Sequence, residues 1–207
     1  MSAGLLQRWR ALAGPGADAL GEALIRAWDE PQRRYHDQSH LIWLLDEADR
    51  RAALLRDHAF VGYAIWFHDA VYQPGAPDNE KLSAEWARAS LAHDPILAER
   101  VARAIEMTKM HHEGDAEGDA ALFLDMDIAV LGAPWEAYCA YAAGIRAEYP
   151  HINDAAFAAG RGAFLEKQLE RPRTFRTDVY ENERGETARA NMRWEAEEMR
   201  RGRMVRA

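Results

Sequence analysis

The sequence predicts an all-α fold built as a single domain. Apolar residues recur at helical spacing in most segments, and no run of any length alternates between apolar and polar residues as a half-buried strand would. Clusters rich in glycine and proline, such as 14–16 and 74–77, separate these segments. The 207 residues include no linker that would divide them, so we expect one helical domain over residues 1–207.

In the first part of the chain, helices are predicted at residues 5–12, 17–28, about 32–56 and 59–72. The helix at 32–56 is amphipathic, and His36 and His40 lie one turn apart on the flank of its apolar stripe. The segment 59–72, AFVGYAIWFHDAVY, is apolar on nearly every helical face, which predicts a helix that is buried all round.

The second part is predicted to continue with further helices. One opens at Asp78, in position to act as the N-cap, and another follows Pro95 with a helical period that continues onto His111 and His112. The remaining helices are predicted at about 120–131, 135–148, 155–170 and from 183 onward, with the basic segment RPRTFRT before the last one.

Composition excludes several classes of protein. The net charge of −8 disfavours a large nucleic-acid surface, because the phosphate backbone attracts lysine and arginine. Cys139 is the only cysteine, so no internal disulfide can form and a reducing compartment is expected. No apolar run reaches the roughly 18 residues of a transmembrane helix, and the N-terminus lacks the pattern of a signal peptide. We therefore expect a cytoplasmic protein with no membrane partner.

Four apolar segments carry side chains that bind metals: the pair His36 and His40, the doublet His68-Asp69, the pair His111 and His112, and the pair Asp125 and Asp127. Each alone is explained as a hydrogen-bonded core residue. Together, imidazoles and carboxylates without thiolates suit a divalent ion such as Mn, Fe, Zn, Ni, Co or Mg.

Helix geometry limits how these ligands could meet. Neighbouring residues point about 100° apart, so His68 and Asp69 would share an ion only in a groove between helices. Asp125 and Asp127 diverge by about 200°. One of them should therefore face the ion, and the spacing does not choose which.

The ordered set His40, His68-Asp69 and Asp127 resembles the H…HD…D ligand pattern of the HD superfamily of metal-dependent phosphohydrolases. The similarity runs from about Arg33 to Glu195 and is closest to the branch described as predicted HD phosphohydrolases. The segments that carry it are YHDQSHL at 35–41, IWFHDAVY at 65–72, DNEKLSA at 78–84, TKMH at 108–111, LFLDMDIAVLG at 122–132, IRAEY at 145–149 and ARANMRWE at 188–195.

The resemblance implies a helical bundle of the HD type, with its core at about 32–170 and a helical extension at about 171–207. It also implies that His40, His68, Asp69 and Asp127 hold the metal, with Asp125 outside the ligand set. The implied activity is hydrolysis of a small phosphorylated compound, with nucleotides among the candidates, by water that the metal activates.

Further residues are candidates for the chemistry around such a metal. The candidate catalytic residues are Asp69, Glu80 and Lys109, with Glu80 for proton transfer and Lys109 for stabilising charge on the phosphate. The candidates for a second metal or for phosphate contact are His36, His111, His112, Arg33 and Arg34.

Simpler interpretations stay open for these residues. Glu80 could only stabilise the start of its helix, and the cations could be solvated surface charges. The alternative function is an HD-fold module that binds metal or ligand with little or no turnover. The sequence does not specify the substrate, the metal, the number of ions or the oligomeric state.

Overall fold

The computed structural model describes residues 2–205, and it is all-α: no strand occurs in this range. The chain forms two compact units that divide after Met126. The all-α prediction is confirmed. The prediction of one domain over 1–207 remains a prediction, and positions 1, 206 and 207 lie outside the described residues. Among the described helices, none combines the length and apolar character needed to cross a membrane.

The first unit contains α1 to α6 and most of α7. The helices are α1 (Ser2–Ala13), α2 (Asp18–Ala27), α3 (Gln38–Arg50), α4 (His58–Phe67), α5 (Asn79–Ser90), α6 (Pro95–Thr108) and α7 (Gly118–Ile128), with a 3₁₀ turn at Ala52–Leu54. Helix α4 lies at the centre of this unit, in contact with α1, α3, α5 and α6.

The indole of Trp9 packs α1 against α4 and also contacts α2. The fully buried indole of Trp9 makes edge contacts with Tyr63, Trp66 and Phe67, with ring centroids 5.2 to 6.2 Å apart. Gly21 of α2 lies directly against this indole, since a Cβ there would be 2.2 Å from Trp9 Cδ1. The absence of a side chain at this position lets α2 approach α1.

The second unit contains the remaining helices. They are α8 (Trp135–Glu148), α9 (Asp154–Leu169), α10 (Asp178–Tyr180) and α11 (Glu186–Arg200), with a 3₁₀ turn at Ala129–Gly132 and a π-helical turn at Glu181–Gly185. Helices α9 and α11 pack together. The buried Asn191 amide donates to the carbonyl groups of Leu131 and Ala133, at 2.9 and 3.0 Å, and so ties the 3₁₀ turn to α11.

A buried ion pair crosses the core of the second unit. Arg161 Nε and Nη2 lie 2.8 and 3.0 Å from the carboxylate oxygens of Glu195, and both side chains are less than a tenth exposed. The hydroxyl of Tyr138 donates to the same carboxylate at 2.5 Å, and Arg161 Nη2 donates to the Tyr141 hydroxyl at 3.1 Å. The charges are therefore compensated inside the core.

The helix predicted at 32–56 ends early, at Arg50, and three further predicted helix boundaries are also wrong. Helix α3 begins at Gln38 rather than near residue 32, because the Asp37 carboxylate accepts a hydrogen bond from the Ser39 amide at 2.8 Å and caps the helix there. Helix α4 ends at Phe67 rather than at 72, and α6 ends at Thr108 before the paired histidines. The three further corrections concern residues beside the predicted ligands.

Candidate metal centre

His40 lies in the first turn of α3 and is 4% exposed. The Asp37 cap sets where the helix starts, and therefore which face of the first turn His40 occupies. Its ring lies 4.8 Å from the Tyr35 ring and 5.6 Å from the His68 ring, measured between centroids. The predicted position of His40 at the edge of the core is therefore corrected to a fully enclosed one.

His68 and Asp69 follow the last residue of α4 and form a turn. His68 keeps helical backbone angles, with φ −57° and ψ −39°, and Asp69 lies in the turn that follows. His68 Nε2 lies 3.3 Å from Asp69 Oδ2, and the two side chains are 1% and 15% exposed. The doublet presents one nitrogen and one oxygen at the same place.

The end of α4 is closed by hydrogen bonds to its last four carbonyl groups, 64–67. The His68 amide binds the first of them, and His68 Nδ1 lies 2.9 Å from the carbonyl oxygen of Ile65. The buried indole of Trp28 donates to the third at 3.0 Å, and the Ala70 amide donates to the fourth. These bonds satisfy groups that a helix end leaves open, and they hold the His68 ring in place.

The bond to Ile65 also determines which nitrogen of His68 can bind a metal. A carbonyl oxygen only accepts, so Nδ1 carries the proton and the neutral ring presents the lone pair of Nε2. Nε2 is the atom that faces Asp69. Metal-binding histidines commonly have their other nitrogen held in this way, which fixes the tautomer and the ring orientation.

His40, His68 and Asp69 form a group that could hold a metal ion, because one ligand atom from each lies within 4.8 Å of the others. Two imidazoles and one carboxylate are a donor set that zinc and other divalent transition metals accept. The residues present therefore fit a metal, and three of the four predicted ligands are together.

The walls of this site are aromatic. The Trp28 ring lies 5.3 Å from His68 and 6.2 Å from His40, and Phe123 of α7 lies 5.8 Å from His68. Such walls limit the access of water and strengthen electrostatic interactions inside the site. Sequence reasoning missed Trp28, although its position at the end of a predicted apolar helix could have drawn attention to it.

The two acids of α7 differ in burial and in the unit to which they belong. Asp125 is 1% exposed and belongs to the first unit. Asp127 is partly exposed and is the first residue of the second unit. The three-residue group includes neither of them. The assignment of Asp127 as a ligand therefore stays a prediction.

Glu80 and Lys109, the predicted catalytic pair, lie close together. Lys109 Nζ is 3.8 Å from Glu80 Oε2, and it also donates to the carbonyl oxygen of Pro77. The Glu80 side chain is 26% exposed in the first turn of α5. The beginning of α5 is tied to the segment after the doublet, since the Asn79 amide pairs with the backbone of Gln73 at 3.0 and 2.9 Å.

The paired histidines and His36 lie in turns. His111 and His112 follow the end of α6, and Nε2 of His112 is buried with no hydrogen-bond partner among residues 2–205. The His36 ring stacks on Tyr72 at 4.4 Å and lies 5.9 Å from the His40 ring. His36 is therefore beside the candidate metal centre, and none of these three belongs to the group of ligand atoms.

The two arginine candidates differ from each other. Arg33 is fully buried and binds protein groups on several sides, whereas Arg34 donates to the carbonyl oxygens of Pro31 and Arg33 near the surface. A charged residue that is buried at this level is rarely left without partners. The contacts of Arg33 indicate a role in holding the site together rather than in contacting phosphate.

A cavity of about 500 Å³ lies against the segment that follows the doublet. Its lining includes Ala70, Tyr72, Gln73 and Trp86, and it includes none of the three clustered ligands. The volume is that of a small-molecule site. Because the cavity contacts none of the three clustered ligands, we assign it no part in their chemistry.

Comparison of the chain with protein-family models, with curated proteins and with solved structures finds no match in any of the three.

Proposed function

We propose that the chain is a metal-dependent phosphohydrolase of the HD type, acting on a small phosphorylated compound, with nucleotides among the candidates. One observation carries the proposal. His40, His68 and Asp69 bring their ligand atoms within 4.8 Å of one another in an enclosed site. The order of these residues along the chain, followed by Asp127, is the H…HD…D order of that superfamily.

In this proposal His40, His68 and Asp69 hold a divalent ion, and Asp127 is the fourth ligand. The ion would supply a positive charge that polarises a phosphoryl oxygen and lowers the pKa of a water molecule. The His68 ring contributes the lone pair of Nε2, because Nδ1 is bound to the Ile65 carbonyl. The aromatic walls exclude bulk water from the reacting groups.

The proposal also assigns roles to Glu80 and Lys109, which lie beside each other at the start of α5 and just after the end of α6. Glu80 accepts the proton of the attacking water at its carboxylate, and Lys109 stabilises charge on the substrate. Their separation of 3.8 Å supports a shared role, since the ammonium group orients the carboxylate. The hydrogen bond from Lys109 to Pro77 holds that cation over the loop between α4 and α5.

The first experiment measures metal directly. We expect about one divalent ion per chain in protein purified without added metal or chelator. We expect its loss in the His68→Ala variant and weaker retention in Asp127→Ala. His93→Ala changes an exposed histidine in the turn after α5; it is the matched control and should keep the metal. Stoichiometric metal in His68→Ala, or none in the wild type under any loading condition, would refute the site.

The second experiment measures turnover with a panel of phosphomonoesters, phosphodiesters and nucleotides, supplied with each of Mn, Fe, Zn, Ni, Co and Mg. Activity in the wild type that disappears in Asp69→Ala is expected. Tight metal binding with no turnover across the panel would support the alternative, a metal-binding module. We also propose a cytoplasmic location, because the single Cys139 suits a reducing compartment.

A further inference from the structure

The Arg33 guanidinium is enclosed between two aromatic rings. Its side chain is 0% exposed, and its central carbon lies 5.4 Å from the Trp28 ring and 5.2 Å from the Tyr72 ring. Guanidinium groups stack on aromatic faces in this way because they are planar and weakly hydrated. One of the two rings, Trp28, also forms a wall of the candidate metal centre.

The same guanidinium bonds to the backbone of two separate segments. Nη1 donates to the carbonyl oxygen of His36 at 2.8 Å, and Nη2 lies 3.4 Å from the carbonyl oxygen of Ala70. Glu30 supplies the counter-charge, with Oε2 at 3.2 Å from both Nε and Nη2. Arg33 therefore connects the segment before α3 to the segment after α4.

These two segments adjoin the clustered ligands. His36 precedes His40 by four residues, and Ala70 directly follows Asp69. A change in the distance between the His36 and Ala70 carbonyl oxygens would therefore move the His40 side of the site relative to Asp69. A lysine could not keep both bonds, because a single ammonium group lacks the rigid fork that reaches two acceptors at fixed positions.

We infer that Arg33 is a positioning residue that sets the separation of His40 and Asp69 in the proposed metal centre. The inference rests on the proposed function and replaces the expectation that Arg33 contacts phosphate. A phosphate-binding arginine must offer its donors to a ligand, whereas the donors of the buried Arg33 side chain already bind Glu30 and the carbonyl oxygens of His36 and Ala70.

The test measures cobalt binding to protein from which metal has been removed with a chelator. Cobalt(II) has visible absorption bands that report the arrangement of its ligands, so a shifted ligand changes the spectrum as well as the affinity. The variants are Arg33→Lys and Arg33→Met. We expect about tenfold to a hundredfold weaker binding, as is typical when a partner that orients metal ligands is removed, together with altered absorption bands.

Two control variants separate positioning from general stability. Gln32→Ala removes the bonds from Gln32 Nε2 to the Tyr72 carbonyl and to Glu30 Oε2, both at 3.0 Å, and leaves every donor of Arg33 in place. Arg26→Lys changes a surface arginine of α2 whose side chain is 71% exposed. Both should keep the wild-type cobalt spectrum, and far-UV circular dichroism should show that each variant is folded.

Wild-type affinity and an unchanged spectrum in folded Arg33→Lys would overturn the inference. The inference would also be overturned if Gln32→Ala showed the same loss of affinity and the same altered spectrum as Arg33→Lys. The effect would then come from general loosening of the site. If Arg33→Met does not fold, Arg33→Lys decides. The absence of cobalt binding in the wild type would refute the metal centre itself, and with it this inference.

Discussion

Replacement of Arg161 by methionine is expected to destabilise the second unit strongly. The side chains of Arg161 and Glu195 are 8% and 2% exposed, and two hydrogen bonds of 2.8 and 3.0 Å join them. Without Arg161, the Glu195 carboxylate keeps the bond from Tyr138 but loses its counter-charge. Removal of one partner from a buried ion pair costs about 3–5 kcal/mol. At about 2–4 °C per kcal/mol for a chain of this size, Tm should fall by about 6–20 °C.

The assay is thermal and urea unfolding of the full chain, with a matched surface control. Arg200 pairs with Glu166, and both side chains are about half exposed, so Arg200→Met should cost less than about 1 kcal/mol. The double variant Arg161→Met with Glu195→Gln should cost less than the sum of the single variants, because no buried charge remains. A loss below about 1 kcal/mol in Arg161→Met, or strict additivity, would contradict the importance of this ion pair.

Three further predictions concern single residues. Burial raises the pKa of Tyr138 above its usual value of 10, so the stability that its neutral hydroxyl contributes is present below pH 10 and is lost as the pH rises further. The free energy of unfolding in urea should therefore fall less at alkaline pH for Tyr138→Phe than for the wild type. An equal fall in the two proteins would contradict this. The hydrogen bond from Arg88 lowers the pKa of Glu99 from 4.5 to about 2, so the stability that the Glu99 carboxylate contributes is present above pH 4.5 and is lost as the pH falls to about 2. The Tm of Glu99→Gln should therefore fall less than that of the wild type over this range of pH. An equal fall in Tm would contradict the prediction. In Gly132→Ala the new methyl group would lie 2.6 Å from Arg184 Cβ and 2.7 Å from the Arg184 carbonyl oxygen. This overlap should lower the free energy of unfolding in urea by about 1–3 kcal/mol. An unchanged free energy would show that the turn can shift.

Local sequence patterns predict a helix best where they include its boundaries. The predicted helix at 135–148 coincides with α8, because Pro134 precedes it and amphipathic spacing fills its length. The segment 59–72 is apolar throughout, so it carries no periodic signal for where the helix stops. The stop at Phe67 depends on bonds from Trp28 and Ala70 to the final carbonyl groups, and the bond from Trp28 comes from a distant part of the chain.

The candidate site also combines features that local sequence predicts with features that depend on distant contacts. Residue type and order were enough to propose His40, His68 and Asp69, since imidazole and carboxylate in apolar segments need a partner. The burial of Arg33 could not be predicted, because an arginine beside a loop normally lies in solvent. Its actual environment depends on Trp28 and Tyr72 meeting across the fold.

The bond between His68 Nδ1 and the Ile65 carbonyl joins two properties that are usually separate. It is part of the closure of α4, and it also decides where the imidazole proton resides. Fraying of the last turn would therefore release the ring and allow the proton to move to the nitrogen that faces Asp69. Slow hydrogen exchange at the His68 amide, which binds the preceding carbonyl, would thus report the readiness of the ring to bind metal as well as the integrity of the helix.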